Sequence, residues 1–331
     1  NISITKDVVN FSLISYLVVV IIGIWAGINT HESIAQSSDI VKIVVVFLFF
    51  REVKFKFIKF EDVIKFIIIG FVAAVIVSMV EYYLYGADFL KLHSVGSINR
   101  SATYIVYIFV TALALYSLAT SRAYKLLLFF GLLFSSIAII LGGSRMAMFS
   151  LPAIFLFYVF LQKNKSVSHI YFIILILILL LIFTFFLFPD SRVASRFEQG
   201  FSDPARVQIW MSAIYAWLEH NVLFGIGVGN SIFIDVGNYF EHPLTRNIDN
   251  THHLYLDLIL EKGLLGFISF FTFLGSLWFF KIKKSDSQLI RLLIFSMCLM
   301  GLANITFRYE FALLFVMIVG SLLNSSLLEE K

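Results

Sequence analysis

The chain has 331 residues, 60% of them hydrophobic and only 14% charged. A soluble domain needs a largely polar skin, so this composition excludes a water-soluble globular protein and makes lipid the solvent for most of the chain. The formal charge of +4 is spread over several connections, which argues against nucleic acid as a partner, and the single Cys298 excludes a disulfide framework or a cysteine zinc site.

Apolar runs long enough to cross a bilayer as helices recur along the chain. They fall at residues 11–27, 40–50, 64–84, 104–119, 125–142, 147–162, 169–188, 254–280, 290–307 and 311–327, the second short and the eighth long. The expected fold is all-α, a polytopic transmembrane helix bundle of about ten spans forming one integral membrane domain over 1–331. Basic residues cluster by connection: Arg51, Lys54, Lys56 and Lys59 in one, Arg122 and Lys125 in another, Lys163 and Lys165 in a third, and Lys281, Lys283, Lys284 and Arg291 in a fourth. These connections alternate, and cytoplasmic loops retain positive charge, so both ends of the chain are expected in the cytoplasm and the other loops outside. No signal peptide is evident, and because the sequence starts at Asn1, further residues are expected ahead of it. Tyr82, Tyr83 and Tyr85 beside Glu81 read as an interfacial aromatic belt.

The longest polar stretch, 189–252, is then an extracytoplasmic loop, and a loop of that length is usually functional. Within it Gly225, Gly227 and Gly229 form a GxGxG string. It lacks the third spacing of a nucleotide loop and follows no strand, so it reads as a tight turn at the membrane surface.

Three places on the outer side could carry chemistry. Gly142 and Gly143 permit a sharp turn, Ser144 can cap the next helix, and Arg145 then sits in its first turn near the lipid interface. Arg145 is either a snorkelling anchor or an anion clamp. Asp203 and Pro204 announce a helix on which Val207, Trp210, Ile214 and Trp217 recur at spacings of three and four, the pattern of an amphipathic interfacial helix. Arg206 lies in its first turn on the stripe of Trp210 and Trp217, where a cation opposes the helix dipole unless an anion relieves it; a solvated arginine is the alternative.

The third place is the segment from Asn250 to Gly266. Asn250 or Thr251 would cap a helix whose first turn holds His252, and from there Tyr255, Ile259, Gly263 and Gly266 keep to one face, the glycines letting another helix approach closely. A helix N-terminus disfavours imidazolium, which suits His252 to the part of a general base. Hydrogen-bonded structural histidines or a partial metal site remain alternatives, although His242, Asp249 and Asp257 form no recognised ligand spacing with the pair. Glu261 is an acid within a span and needs a partner, and Lys262 beside it is expected on a different face. Arg145, Arg206 and His252 together describe two guanidiniums able to hold a diphosphate and a neutral base able to deprotonate a nucleophile. With no ATP site in the sequence, the energy for a synthesis outside the cytoplasm would have to arrive in the substrate.

On these residues the chain resembles the O-antigen ligase and polymerase superfamily of bacterial envelope glycosyltransferases. The ligase motif runs His, then Asn, Ser or Gln, nine residues, Gly, two residues, and Gly, Thr or Tyr. Here it reads His252, His253, nine residues, Gly263, two residues, Gly266, with His253 the single departure. Ser144 and Arg145 match the family's Ser-Arg pair at the outer start of a middle span, Arg206 its arginine at an amphipathic outer helix, and the string at Gly225, Gly227 and Gly229 its glycine turn. The resemblance covers roughly 125–280. Family members carry further spans ahead of the large loop, so this copy is expected to be shortened at its N-terminus with its orientation unchanged.

The resemblance implies metal-independent, cofactor-free transfer of a glycan from an undecaprenyl-diphosphate-linked donor to a sugar hydroxyl, in a multi-pass protein of the bacterial inner (cytoplasmic) membrane whose active site faces the periplasm. It assigns Arg145 and Arg206 to the diphosphate and His252 to the acceptor hydroxyl, with Ser144, Trp210, His253 and Glu261 as further candidate substrate contacts. The acceptor separates a ligase (lipid A core) from a polymerase (another lipid-linked glycan) and from a protein oligosaccharyltransferase, and ligase is the leading reading. From another class, a polysaccharide transporter or flippase would place its ionisable residues at mid-membrane, whereas these cations gather at the outer face.

Overall fold

Short polar side chains set where the helices begin. In the computed structural model, which describes residues 5–53, 59–86, 90–92, 95, 97–162, 204–248 and 250–329, Asp7 caps α1 (Val8–Ala26) by accepting from Asn10 N at 3.0 Å. Asn29 caps α2 (Thr30–Glu52) through Glu32 N at 3.2 Å. Asp62 reaches back to Lys59 N at 3.3 Å to close the start of α3 (Phe60–Tyr85). Ser97 caps α4 (Ile98–Tyr116) through Arg100 N at 3.3 Å. Each satisfies an amide that the first helical turn leaves without a carbonyl. Helices α5 (Arg122–Gly142) and α6 (Arg145–Leu161) follow, then α7 (Pro204–Glu219), two 3-10 turns at Asn230–Phe233 and Val236–Asn238, α8 (Leu254–Trp278), α9 (Lys284–Met300) and α10 (Tyr309–Glu329).

Seven of these ten helices, α1 to α5, α8 and α10, are long and apolar enough to cross a membrane, so the chain is a multi-pass membrane protein with a polytopic helical bundle. The expected span at 169–188, the first part of the loop at 189–203 with Asp203, the basic residues Lys54, Lys56, Lys163 and Lys165, and Asp249 lie outside the described residues. The short second span expected at 40–50 is corrected to a full-length α2 of 23 residues. Its polar first half looks like loop but is turned inward: Ser33 and Ser37 are buried, and Gln36 has a protein partner. Arg51, expected in a connection, belongs to the last turn of the same helix and is buried.

The chain divides into two compact units. The first comprises residues 1–54, 202–282 and 301–331, and the second 55–201 and 283–300. In the second unit α4 is the central helix, with 78% of its apolar window buried, and it contacts α5, α6 and α9. Phe157 of α6 stacks on Phe295 of α9 at 4.3 Å between ring centroids.

In the first unit α1 lies along α8, and α2 along α10. Ser12 and Ser276 share a hydrogen bond of 2.9 Å across the first pair, a contact suited to lipid because both hydroxyls are satisfied inside the protein. At one end of this unit the Arg51 guanidinium donates to Asp7 and Asn10. Asn10 Nδ2 donates in turn to Glu52 Oε1 at 2.7 Å, so the last turn of α2 is tied to the first turn of α1. Asn324 of α10 closes the same end by donating to Val53 O at 2.7 Å.

Candidate functional site

The organising feature of the first unit is a break in α8. Gly263 has φ 64° and ψ −171°, a conformation closed to side chains, and it interrupts the helical ladder within a span. The backbone groups released by the break are taken up by the segment that follows α7. Ile226 N donates to Leu260 O at 2.8 Å and Gly227 N to Glu261 O at 3.0 Å, while Leu264 N and Leu265 N donate to Val222 O and Leu223 O at 2.9 and 3.0 Å. Non-helical backbone at membrane depth is tolerated only where protein satisfies it, and here the glycine string does so. The approach is close enough to require glycine on both sides. A Cβ at Gly225 (φ 72°) would meet Leu260 O at 2.4 Å, and one at Gly263 would meet Leu223 O at 2.3 Å.

The turn expected at Gly225, Gly227 and Gly229 is therefore present, with φ of 72°, 89° and 80°. The helix-on-helix approach expected at Gly263 is corrected: the partner is this loop, because Gly263 leaves the helical conformation. Gly266 is corrected in the same sense. A Cβ there would meet Lys262 Cβ at 2.4 Å, so the glycine makes room for the lysine stem that the break folds back over it.

The histidines also stand elsewhere than expected. His253, not Asn250 or Thr251, is the N-cap of α8, its Nδ1 accepting from Leu256 N at 3.4 Å. His252 precedes the helix, with φ 49° and its amide donating to Asn250 Oδ1 at 2.9 Å. Thr251 is fully buried, and Trp210 Nε1 donates to its carbonyl at 2.9 Å. The Trp210 and Tyr255 rings lie 5.5 and 5.4 Å from that of His253. Burial among them holds the His253 imidazole below the ordinary histidine value, the neutral form that an accepting Nδ1 requires.

Helix α7 begins at Pro204 as its sequence announces. Its inward face is not the expected stripe, however. Ser212, Ala213 and Ala216 are buried, with Ile209 and Trp217 packed against Ile226, Ile234, Val236, Ile248 and Leu260, while Val207, Met211, Tyr215 and Leu218 are exposed. Small residues win the buried face because they let the helix close on the loop. Arg206, in the first turn, and Trp210 are half-buried.

Four charges were missed as a group by sequence reasoning, three of them on the first half of α8 and the fourth, Arg308, just ahead of α10. Lys262 Nζ is 3.3 Å from both Asp257 Oδ2 and Glu261 Oε2. Glu261 Oε1 accepts from Ser231 Oγ at 3.4 Å and lies 3.8 Å from the Arg308 guanidinium, which donates to Gln36 Oε1 at 3.1 Å. Lys262, expected on a different face from Glu261, instead brings its ammonium to that carboxylate. Burial disfavours the Arg308 charge, but the carboxylates of Glu261 and Asp257 outweigh it and raise the guanidinium above its ordinary value.

Ser144 and Arg145 belong to the second unit. Gly143 ends α5 with φ 63°, Ser144 is buried at the N-cap of α6 without a side-chain cap bond, and Arg145 opens α6, half-buried. The expected turn and the first-turn arginine are both present. The first unit brings Arg206, Trp210, His252, His253, Glu261 and the glycine pair onto α7, the loop after it and the head of α8.

Residues 130–271 are similar to the O-antigen ligase family. That match supports the O-antigen ligase and polymerase superfamily and a function of that type. No match was found among curated proteins. The matched segment contains Ser144, Arg145, Arg206, both histidines and both halves of the glycine interlock, whereas Arg308 and Gln36 lie beyond its ends.

Proposed function

We propose that the protein is an O-antigen ligase that moves a glycan from undecaprenyl diphosphate to a sugar hydroxyl of lipid A core at the periplasmic face of the bacterial inner membrane. The observation that carries this reading is the head of α8, where a histidine of left-handed backbone precedes a histidine cap within a matched O-antigen ligase segment. Such backbone strain persists only where surroundings over-determine it, and it concentrates at functional sites.

His252 takes the proton of the acceptor hydroxyl, and the oxygen attacks the anomeric carbon of the donor sugar. The bond from that carbon to the diphosphate oxygen breaks, and undecaprenyl diphosphate leaves with the electron pair. Arg145 and Arg206 hold the leaving diphosphate through charge-assisted hydrogen bonds that strengthen as its charge develops. In this reading Ser144, Trp210 and His253 are further contacts for the substrates. No step calls for a metal or a cofactor. The same residues would serve a polymerase, whose acceptor hydroxyl belongs to a second lipid-linked glycan.

The test is restoration of surface polysaccharide in one host lacking its ligase and one lacking its polymerase, with His252→Ala, Arg145→Ala and Arg206→Ala beside the intact chain. Core-linked glycan in the first host is expected, and its loss in each variant while the protein still inserts. Rescue of chain length in the second host alone would make the protein a polymerase. Full activity without His252 would overturn the base.

A further inference from the structure

The first half of α8, from its cap at His253 to Lys262, is severed from the second half by the break at Gly263. The helical ladder is interrupted there, so its position depends also on what it touches elsewhere. The loop after α7 takes Leu260 O and Glu261 O, and Leu254 N donates to Gly301 O at 2.8 Å. The Tyr255 ring stacks on Phe271 of the second half at 5.8 Å between centroids, and a further tie is ionic. The Glu261 side chain is fully enclosed, with Lys262 on one oxygen and Ser231 and Arg308 on the other. Arg308 is the only one of these partners that comes from the 301–308 segment, and through Gln36 it reaches α2 as well.

We propose that Arg308 is a positioning residue which, acting through Glu261, braces the first half of α8 against α2 and the 301–308 segment and so fixes His252 and His253 for transfer. The assignment rests on the transferase reading for its activity readout. Three observations carry it. Glu261 reaches no solvent, so its carboxylate serves the brace and does not touch substrate. Gly266 is kept small by the stem of Lys262, the cation that shares Glu261 with Arg308. Among the described residues the two non-glycine positions of positive φ are His252 and Tyr309, one at the segment to be held and the other next to the residue that holds it. Backbone of this kind persists in a non-glycine residue only where its surroundings over-determine it.

The step is testable in the full-length protein reconstituted with lipid-linked donor and acceptor. Arg308→Gln is expected to lower kcat roughly tenfold with the KM for the donor nearly unchanged, because the groups that bind the diphosphate are elsewhere. Arg308→Lys, which keeps a cation within reach of Glu261, is expected to recover most of the rate. In Arg308→Gln the further change Glu261→Gln should cost little, since the two act as one unit, whereas independent roles would give additive losses and overturn the proposal. A readout free of catalysis accompanies these. Backbone amides of 254–262 should exchange faster in Arg308→Gln than in the intact protein, with 264–278 unchanged. If the intact chain transfers no glycan, the ligase reading fails while amide exchange still decides the brace. Unchanged exchange in 254–262 overturns the brace whatever the activity.

Discussion

Replacing Gly263 by alanine tests the architecture on which the site depends. The glycine sits at φ 64° and ψ −171°, where an added Cβ would meet Leu223 O at 2.3 Å, Leu223 C at 2.4 Å and Gly225 N at 2.5 Å. All three are backbone atoms, so no side-chain rotation relieves the overlap. Alanine has two options. It can hold the glycine conformation at a strain of about 1–3 kcal/mol and push the loop away. Or it can turn helical, straighten α8 and expel the loop altogether. Either way the four bonds to Leu260 O, Glu261 O, Leu264 N and Leu265 N are lost or stretched, at a net of about 0.5–1.5 kcal/mol each. Where the glycine conformation is kept, the expected destabilisation is at least about 3 kcal/mol. Gly275 in the same helix is the matched control, because nothing lies within 4 Å of a Cβ there and alanine is a better helix former than glycine. Thermal unfolding of the detergent-solubilised proteins compares the two. Gly263→Ala should melt well below the intact protein and lose glycan transfer, and Gly275→Ala should match the intact protein in both. Equal melting of the two variants would refute the interlock.

Arg51→Met should destabilise by about 3–5 kcal/mol, since it strands the Asp7 carboxylate and the Asn10 and Glu52 side chains without their buried cation; a melting temperature equal to that of the intact protein would show that the cluster is not holding α1 to α2. His253 lies below the ordinary value of 6.5 when folded, so as pH falls the unfolded chain takes the proton first. The stability this residue contributes is thus complete above that value and is lost as pH drops through it towards the lower folded value. His253→Asn still offers an acceptor to Leu256 N, and it should flatten the acid side of a stability-against-pH profile; an unchanged slope there would place the titration elsewhere. Ser144→Ala should leave melting within about 0.5 kcal/mol of the intact protein, because the hydroxyl makes no cap bond, whereas Ser97→Ala, which removes a real cap, should cost about 1 kcal/mol. Transfer lost in a Ser144→Ala protein of full stability would argue for contact with substrate, and equal melting losses in the two variants would contradict the cap assignment.

Hydropathy carried most of the fold because lipid leaves a spanning segment little choice but to be a helix. It failed where polar residues face protein instead of water. The Thr30–Asp39 half of α2 looks like a loop because its partners, Asn230 for Ser33 and Arg308 for Gln36, come from almost two hundred residues or more along the chain, and no local pattern reports them. Arg51 failed for the same reason, since its partners Asp7 and Asn10 belong to another helix. The caps Asp7, Asn29 and Ser97, by contrast, each bond an amide only three residues on.

The glycines show most clearly what a sequence can and cannot carry. Gly225 and Gly263 belong to strings that stand out separately, one as a tight turn and the other as part of a face beginning at His252. Each is the reason for the other. A Cβ on Gly225 would meet Gly263 N at 2.6 Å, and a Cβ on Gly263 would meet Gly225 N at 2.5 Å. Helical periodicity assigns a face to every residue of α8 only while the helix is continuous, and it is the loop 38 residues upstream that interrupts it. The break accounts for Gly266, which must be small beneath the Lys262 stem, while the place of His252 ahead of the cap belongs to the start of the helix. The spacing from histidine to glycine is therefore the length of a segment held at both ends, by the cap at one and the interlock at the other. A chain that kept that spacing but carried a side chain at position 225 could not seat the loop, and its histidines would head an ordinary straight span.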